Sequence, residues 1–358
     1  MEPAPVAIAT TLYLPVGRRA PKLLLCSLTK WCHNAGRLAR SLPPTLRAEL
    51  IVLTNDEAVV RRECLARTIA FDANVSVLVD AWAGAYETRY ARRLKAAATP
   101  NEMRAWLRKW QLVGMTEYAA IFYTDTDVDI FAGAYNTSAL LDARGIAHFN
   151  AVGSIDSAIR AWTAELPAFL ADSRVQLIAT LDREIVVHGG IFLVKPSRRT
   201  FHLGLDVLRS RHWTPKGGFE AAGSPREVCR RQRVGRGYLR QCKKTRFWRD
   251  DTWDVVAGNA DQGLLTHVYL TSRRLGPGAL RLTRYQNYSV HHFWGRSKPW
   301  LLTYTRCVPF WDFLDAQPER SVPTTALCVP WHQQRRRQAQ ARAPLDWPPC
   351  GGVRFWVF

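Results

Sequence analysis

Tyr118-Ala119-Ala120-Ile121-Phe122-Tyr123-Thr124-Asp125-Thr126-Asp127-Val128-Asp129-Ile130-Phe131 is an apolar run that ends abruptly in spaced carboxylates. The continuous apolar run from Ala119 to Tyr123 predicts a strand buried on both faces, as in a parallel sheet. Ligands of open α/β sheets collect outside the carboxyl ends of such strands, which is where Asp125 and Asp127 fall. In an extended segment residues i and i+2 point the same way, so the two carboxylates would converge, and a divalent cation would relieve their repulsion. Oxygen ligands suit a hard ion, Mn2+ or Mg2+.

Upstream of this stretch the elements alternate. Val6 to Leu14 reads as a strand, Leu23 to Arg40 as a helix with one apolar face, and Glu49 to Thr54 as a short buried strand ending at Asn55-Asp56. This is a βαβ opening. Thr99-Pro100-Asn101-Glu102 supplies an N-cap, a proline at the first helical position and a Glu placed for a capping box, which predicts a helix carrying Lys109. With Arg104 and Arg108 beside it, Lys109 equally suits a solvated basic face.

Downstream, Val290-His291-His292-Phe293-Trp294-Gly295-Arg296-Ser297-Lys298-Pro299-Trp300 gathers an imidazole, a glycine and a lysine in a compact loop. A neutral His completes a carboxylate-bound Mn2+ site, Gly295 lets backbone approach a ligand closely, and Lys298 supplies a point charge for phosphate. The same loop also reads as core aromatics, Phe293, Trp294 and Trp300, with the two histidines packed beside them.

Two further segments complete the set: His188-Gly189-Gly190-Ile191-Phe192-Leu193-Val194-Lys195-Pro196-Ser197 and Asn259-Ala260-Asp261-Gln262-Gly263-Leu264-Leu265. With these in order, the chain resembles glycosyltransferase family 8, the glycogenin-like and galactinol-synthase-like enzymes that use nucleotide-sugar donors. Lys109, Asp125-x-Asp127, His188-Gly-Gly-Ile-Phe, Asp261-Gln262-Gly263 and His292-Phe-x-Gly-x-x-Lys-Pro-Trp follow that family's motif order, and the last is the most specific. The resemblance runs from about Val6 to Trp300.

The resemblance implies a GT-A fold of α/β class with a mostly parallel central sheet. It also implies metal-dependent transfer of a hexose, with retention, from a nucleotide-diphosphate sugar such as UDP-glucose or UDP-galactose. By similarity Asp125, Asp127 and His292 bind Mn2+ or Mg2+; Lys109, Asp125, Gly295 and Lys298 hold the donor; Asp261 and Gln262 lie at the reacting sugar. Three departures stand out. His188 replaces an Asn, Gly258 occupies a position that often carries an acid, with Asp250, Asp251 and Asp254 just upstream, and Thr124 replaces a bulkier apolar residue.

At 358 residues and 47% hydrophobic, the chain is long enough for one large domain, residues 1–316, followed by a tail, residues 317–358. Pro318, Pro323, Pro330, Arg335-Arg336-Arg337 and Pro344 break up regular structure in the tail, and its apolar end, Val353 to Phe358, is expected to pack back on the domain or meet a partner.

The net charge of +20 concentrates between Arg226 and Arg249, within a segment, residues 211–257, that looks inserted. With Tyr238, Phe247 and Trp248 interleaved, this stretch suits an anionic partner: an acidic acceptor, a nucleic-acid backbone or lipid headgroups. It also reads as a solvated insertion that aids solubility. The charge supports a second function, a catalytically inactive glycosyltransferase-like protein that binds nucleic acid or an anionic surface.

The acceptor is a saccharide, a polyol or a protein; for self-modification Tyr135, Tyr238, Tyr269, Tyr285 and Tyr288 are candidates. Eight cysteines without a C-x-x-C pair argue against a zinc ribbon and permit disulfides, for instance Cys229 with Cys242. No apolar run reaches membrane-spanning length, and Met1 to Pro15 lacks a secretory pattern, which points to the cytoplasm, or to the Golgi if the chain is truncated.

Overall fold

The computed structural model describes residues 5–14, 22–43, 45–65, 75–79, 106–126, 128–129, 165–180, 185–219, 223–231, 242–255, 257–272, 274–275, 278–283 and 291–292. The proposed tail, residues 317–358, and the tyrosines Tyr135, Tyr238, Tyr285 and Tyr288 lie outside them.

Strand β1 (Val6–Leu12), helix α1 (Lys22–Ser41) and strand β2 (Ala48–Thr54) form the expected βαβ opening. A short helix α2 (Glu57–Val60) follows, capped by Asp56, whose carboxylate accepts from the Val59 amide at 3.1 Å. Then come β3 (Val75–Val79), β4 (Ala120–Thr124), β5 (Val128–Asp129), β6 (Leu177–Thr180) and β7 (Ile191–Val194). Helix α3 (Arg198–Ser210) starts at Ser197, whose hydroxyl accepts from the Thr200 amide. The hairpin β8 (Trp213–Thr214) and β9 (Gly218–Phe219) precedes α4 (Pro225–Arg231), α5 (Arg246–Asp250) and α6 (Asp261–Thr266); β10 (Leu280–Thr283) and β11 (His291–His292) close the described chain.

Seven strands make one sheet in the order β10-β6-β7-β4-β1-β2-β3. Strand β7 pairs antiparallel with both β4 and β6, while β10·β6, β4·β1, β1·β2 and β2·β3 are parallel. This is the mostly parallel α/β sheet that the resemblance implies.

The period of two in the strands divides the core between the two faces. Ala7, Ala9, Ile51, Leu53, Ile121, Tyr123, Leu177, Phe192 and Val194 pack on one face with α3, α6 and Trp110. Their neighbours Val6, Ile8, Leu50, Val52, Ala120, Phe122, Ile178, Ile191 and Leu193 pack on the other with Leu28, Trp31, Ala35 and Leu38 of α1 and with Phe169 of the helix at 165–171. Both faces are covered by helices, which is why these strands read as continuous apolar runs rather than alternating ones.

The inserted segment is not a solvated loop where it is described. Val228, Cys229, Cys242, Phe247, Trp253 and Val255 belong to the same core as the sheet. Cys229 and Cys242 are both buried and not bonded to each other, contrary to the pairing considered above; among the described residues a disulfide joins Cys32 of α1 to Cys64 of the π-helical turn Arg61–Leu65. Among the described residues no helix is long and apolar enough to cross a membrane.

Candidate functional site

The chain winds from β1 outward through β2 to β3 and then returns to place β4 on the other side of β1. The reversal between β1 and β4 is a topological switch point, where the connections diverge and leave a crevice outside the strands' carboxyl ends. Asn55, just after β2, ties down the chain after β1, its side-chain oxygen accepting from the Leu14 amide at 2.9 Å and its amide nitrogen donating to the Leu14 carbonyl at 2.8 Å. Asp125 stands immediately after β4.

Asp125 ends the strand and opens a turn. Its carbonyl accepts from the Val128 amide at 3.0 Å, which makes 125–128 a turn, and its own amide donates to the Gly190 carbonyl at 2.8 Å. Whether Asp127 converges on Asp125 lies outside the described residues. After the turn, β5 pairs antiparallel with β11, setting His292 opposite Val128 and His291 opposite Asp129. The backbone of His291 and His292, where the last motif begins, is thus brought beside the end of that turn. Asp127, Gly295 and Lys298 lie outside the described residues, as does the His292 side chain.

Lys109 is the centre of the described site. It sits at the start of a 3-10 turn, Lys109–Gly114, with its side chain only 6% exposed, so the alternative of a solvated basic face is excluded. Its ammonium lies 2.9 Å from Asp125 Oδ1 and 3.0 Å from Asp261 Oδ2, and donates to the Gly189 carbonyl at 3.1 Å. Burial alone would lower this ammonium, yet Asp125 and Asp261 hold its pKa well above the ordinary lysine value. Burial raises the Asp261 carboxyl, Lys109 opposes the rise and Asp125 adds to it.

Tyr123 and Thr11 extend the cluster, and neither was singled out by sequence motifs. The Tyr123 hydroxyl donates to Asp125 Oδ1 at 2.5 Å and lies 2.8 Å from Thr11 Oγ1 of β1. Its ring stacks on Phe192 at 4.8 Å and carries the Lys109 ammonium 5.1 Å from its centroid. Tyr123 and Lys109 together hold Asp125 Oδ1. The signal in the sequence was the period of two: Tyr123 and Asp125 are i and i+2.

Asp261 and Gln262 open α6, packed against the His188-Gly189-Gly190 segment. A Cβ at position 189 would stand 2.4 Å from Asp261 Oδ2 and 2.9 Å from Gln262 Cγ, so only glycine lets the two segments meet. His188 is buried, and its Nδ1 accepts from the Gly190 amide at 3.1 Å, so the ring shapes this turn from within. Gly258 has a packing reason as well: a side chain there would strike the Trp253 carbonyl at 2.3 Å, and its own carbonyl accepts from Trp213 Nε1 at 3.0 Å. Of the nearby acids, Asp250 pairs with Arg246, Asp251 accepts from the Arg226 amide, and Asp254 is exposed. Thr124 has a use too, accepting from the buried Trp31 Nε1 at 2.7 Å.

One lysine faces two carboxyl groups here. The remaining oxygen of Asp261, Oδ1, is buried without a hydrogen-bond partner among the described residues. A buried acceptor in that state calls for a donor or a cation. Among the described residues no three His, Cys, Asp or Glu side chains form a metal cage. The unpartnered Asp261 Oδ1, and Asp125 beside it on Lys109, are oxygen ligands of the kind a hard divalent ion takes. Tyr269, a candidate acceptor for self-modification, is buried at 3% exposure against Trp110.

No protein-family model and no curated protein matches the chain. Solved structures similar to it include the apo form of the bifunctional glycosyltransferase WbbM, at 10% identity and TM-score 0.42, and apo mouse xyloside xylosyltransferase 1, at 11% and 0.36. The first match covers 94% of this chain and 52% of that protein, so the chain spans about half its length; the second covers 91% and 95%. A mycobacterial protein matches over 57% of this chain and 60% of its own, at 11% identity and TM-score 0.24. What the site can do chemically rests on its own residues.

Proposed function

We propose that the chain is a metal-dependent retaining glycosyltransferase that moves a hexose from UDP-glucose or UDP-galactose to a saccharide, polyol or protein acceptor. One observation carries this reading. Lys109, Asp125 and Asp261, from three separate sequence motifs, meet in one buried cluster at the switch point of the sheet.

Cleaving the sugar-phosphate bond puts negative charge on the departing nucleotide and positive charge on the sugar's ring carbon. Asp125, Asp127 and His292 would hold Mn2+ or Mg2+, which when bound neutralises the diphosphate. Gly295 lets the backbone come close to that diphosphate, and Lys298 supplies a second positive charge to it. Asp261, whose buried Oδ1 has no hydrogen-bond partner among the described residues, accepts from a sugar hydroxyl or faces the positive ring carbon, and Gln262 orients the sugar beside it. Lys109 holds both carboxyl groups in place, while Tyr123, itself bonded to Thr11, fixes the rotamer of Asp125.

A second reading has its own support. All three Lys109 hydrogens are engaged by Asp125, Asp261 and Gly189, which fits a scaffold whose donor site is closed and whose exposed cations bind a polyanion. The Cys32–Cys64 disulfide favours an oxidising compartment, in keeping with the Golgi alternative. The test is release of UDP from UDP-glucose and UDP-galactose in the presence of Mn2+. Release that stops with a chelator and in Asp125→Asn supports the transferase. Release untouched by both removes the metal assignment, and no release from any nucleotide sugar favours the second reading.

A further inference from the structure

Residues 226–249 hold ten arginines and lysines against one acid, Glu227. The structure sorts these charges into structural and available ones. Arg226 is used internally: its side chain donates to the carbonyls of Trp248 at 2.8 Å and Arg249 at 2.7 Å, tying α4 to the end of α5. Arg246 pairs with Asp250. Arg230, Lys243, Lys244 and Arg249 are exposed, with no carboxylate at ion-pair distance among the described residues.

These cations stand on a built platform. Val228 and Cys229 of α4, and Cys242 and Phe247 beside and within α5, are buried in the main core, and Phe247 stacks on Trp253 at 5.9 Å. Arg230 lies over the half-buried Trp248 ring at 5.6 Å, placing an aromatic surface among the charges. The β8–β9 turn adjoins it: the Pro215 carbonyl, next to exposed Lys216, accepts from the Trp253 amide and from the Thr252 hydroxyl.

The platform is also coupled to the reacting site. From Trp253 to Asp261 the chain spans at most about 28 Å even if fully extended. It is shorter in fact, because turns bond Gly258 to Val255 and Ala260 to Ala257, and Trp213 of the hairpin holds the Gly258 carbonyl.

We propose that the face formed by Lys216, Arg230, Lys243, Lys244 and Arg249, with Trp248, binds a polyanionic acceptor: an acidic polysaccharide bearing repeated carboxylate or sulfate groups, whose sugar end reaches the Asp261 site. Guanidinium and ammonium groups recognise the anions, and the tryptophan face packs on a ring. The choice of a saccharide over other polyanions rests on the transferase reading above.

Three probes test it on the full chain at matched charge: polygalacturonate or heparin, a single-stranded oligonucleotide, and vesicles containing phosphatidylserine. The acidic polysaccharide should bind most tightly, with the logarithm of its affinity falling linearly with log salt. Lys243→Ala/Lys244→Ala/Arg249→Ala should weaken it at least tenfold and reduce the log-log salt slope by about 2, while leaving the UDP-dependent rise in melting temperature intact. An unchanged affinity in the triple variant, or no binding of the polysaccharide, would overturn the surface. Tighter binding of the oligonucleotide or vesicles would overturn the acceptor class. Polysaccharide binding without any nucleotide effect in the wild type would remove the transferase reading, and the acceptor role with it, while leaving the cationic surface in place.

Discussion

The ammonium of Lys109 and the carboxylate of Asp261 lie 3.0 Å apart, both nearly inaccessible, although β4, β6 and β7 intervene in the chain between them. The contact joins the turn before the sheet's central strand to the start of α6, and Asp125 shares the same ammonium at 2.9 Å.

Lys109→Met should destabilise the protein by about 3–5 kcal/mol, because two carboxylates then share a buried site with no counter-charge. Asp261→Asn should be milder, since Lys109 keeps Asp125 and the Gly189 carbonyl. Urea unfolding of both variants measures the difference; a Lys109→Met protein as stable as the wild type would contradict the central role given to this cation.

Gly189→Ala presses a methyl against Asp261 Oδ2 at 2.4 Å, and Lys109 holds that oxygen from the other side. The expected loss is about 1–3 kcal/mol of stability from overpacking, with turnover lowered by about a hundredfold through displacement of Asp261. Full activity would mean that Asp261 and Gln262 do not act from their present positions.

His267 gives the fold a pH dependence. Burial, with a contribution from Arg211, lowers its pKa from 6.5 to about 4, and its ring meets Thr271 Oγ1 and Phe219. The folded value lies below the unfolded one, so the contribution to stability is complete above pH 6.5 and is lost as pH falls toward 4. At pH 5 the loss is about 2 kcal/mol. His267→Gln should flatten the unfolding free energy over this interval; the same slope in the variant would assign it to other groups.

Trp31 and Thr124 should couple in a double-mutant cycle. Thr124→Val strands a buried indole N–H at a cost of about 1–3 kcal/mol, and combining it with Trp31→Phe should recover part of the loss. Additive effects would show that the 2.7 Å bond does not hold the end of β4 in front of Asp125.

The sheet was largely legible from sequence because β1, β2 and β4 are buried on both faces, and burial of that kind writes itself as unbroken apolar runs. The site was legible only in part. Nothing local distinguishes Lys109 from Arg108 beside it. The difference arises where Trp110 fits over Gly204, whose Cβ would fall 2.1 Å from the indole, and where its Nε1 bonds the Phe201 carbonyl, seating the 3-10 turn against α3. The turn at 125–128 escaped notice because Thr126 and Val128 both favour strands. In the inserted segment, Val228, Cys229 and Phe247 are too sparse among the arginines for any period to mark them as core.

The most direct test of the central claim is the melting temperature of the wild-type protein with UDP alone, Mn2+ alone and both together, since a ligand of the native state raises it. The account predicts a rise that requires both and disappears in Asp125→Asn. An equal rise with UDP alone, or no rise with the pair, would contradict it.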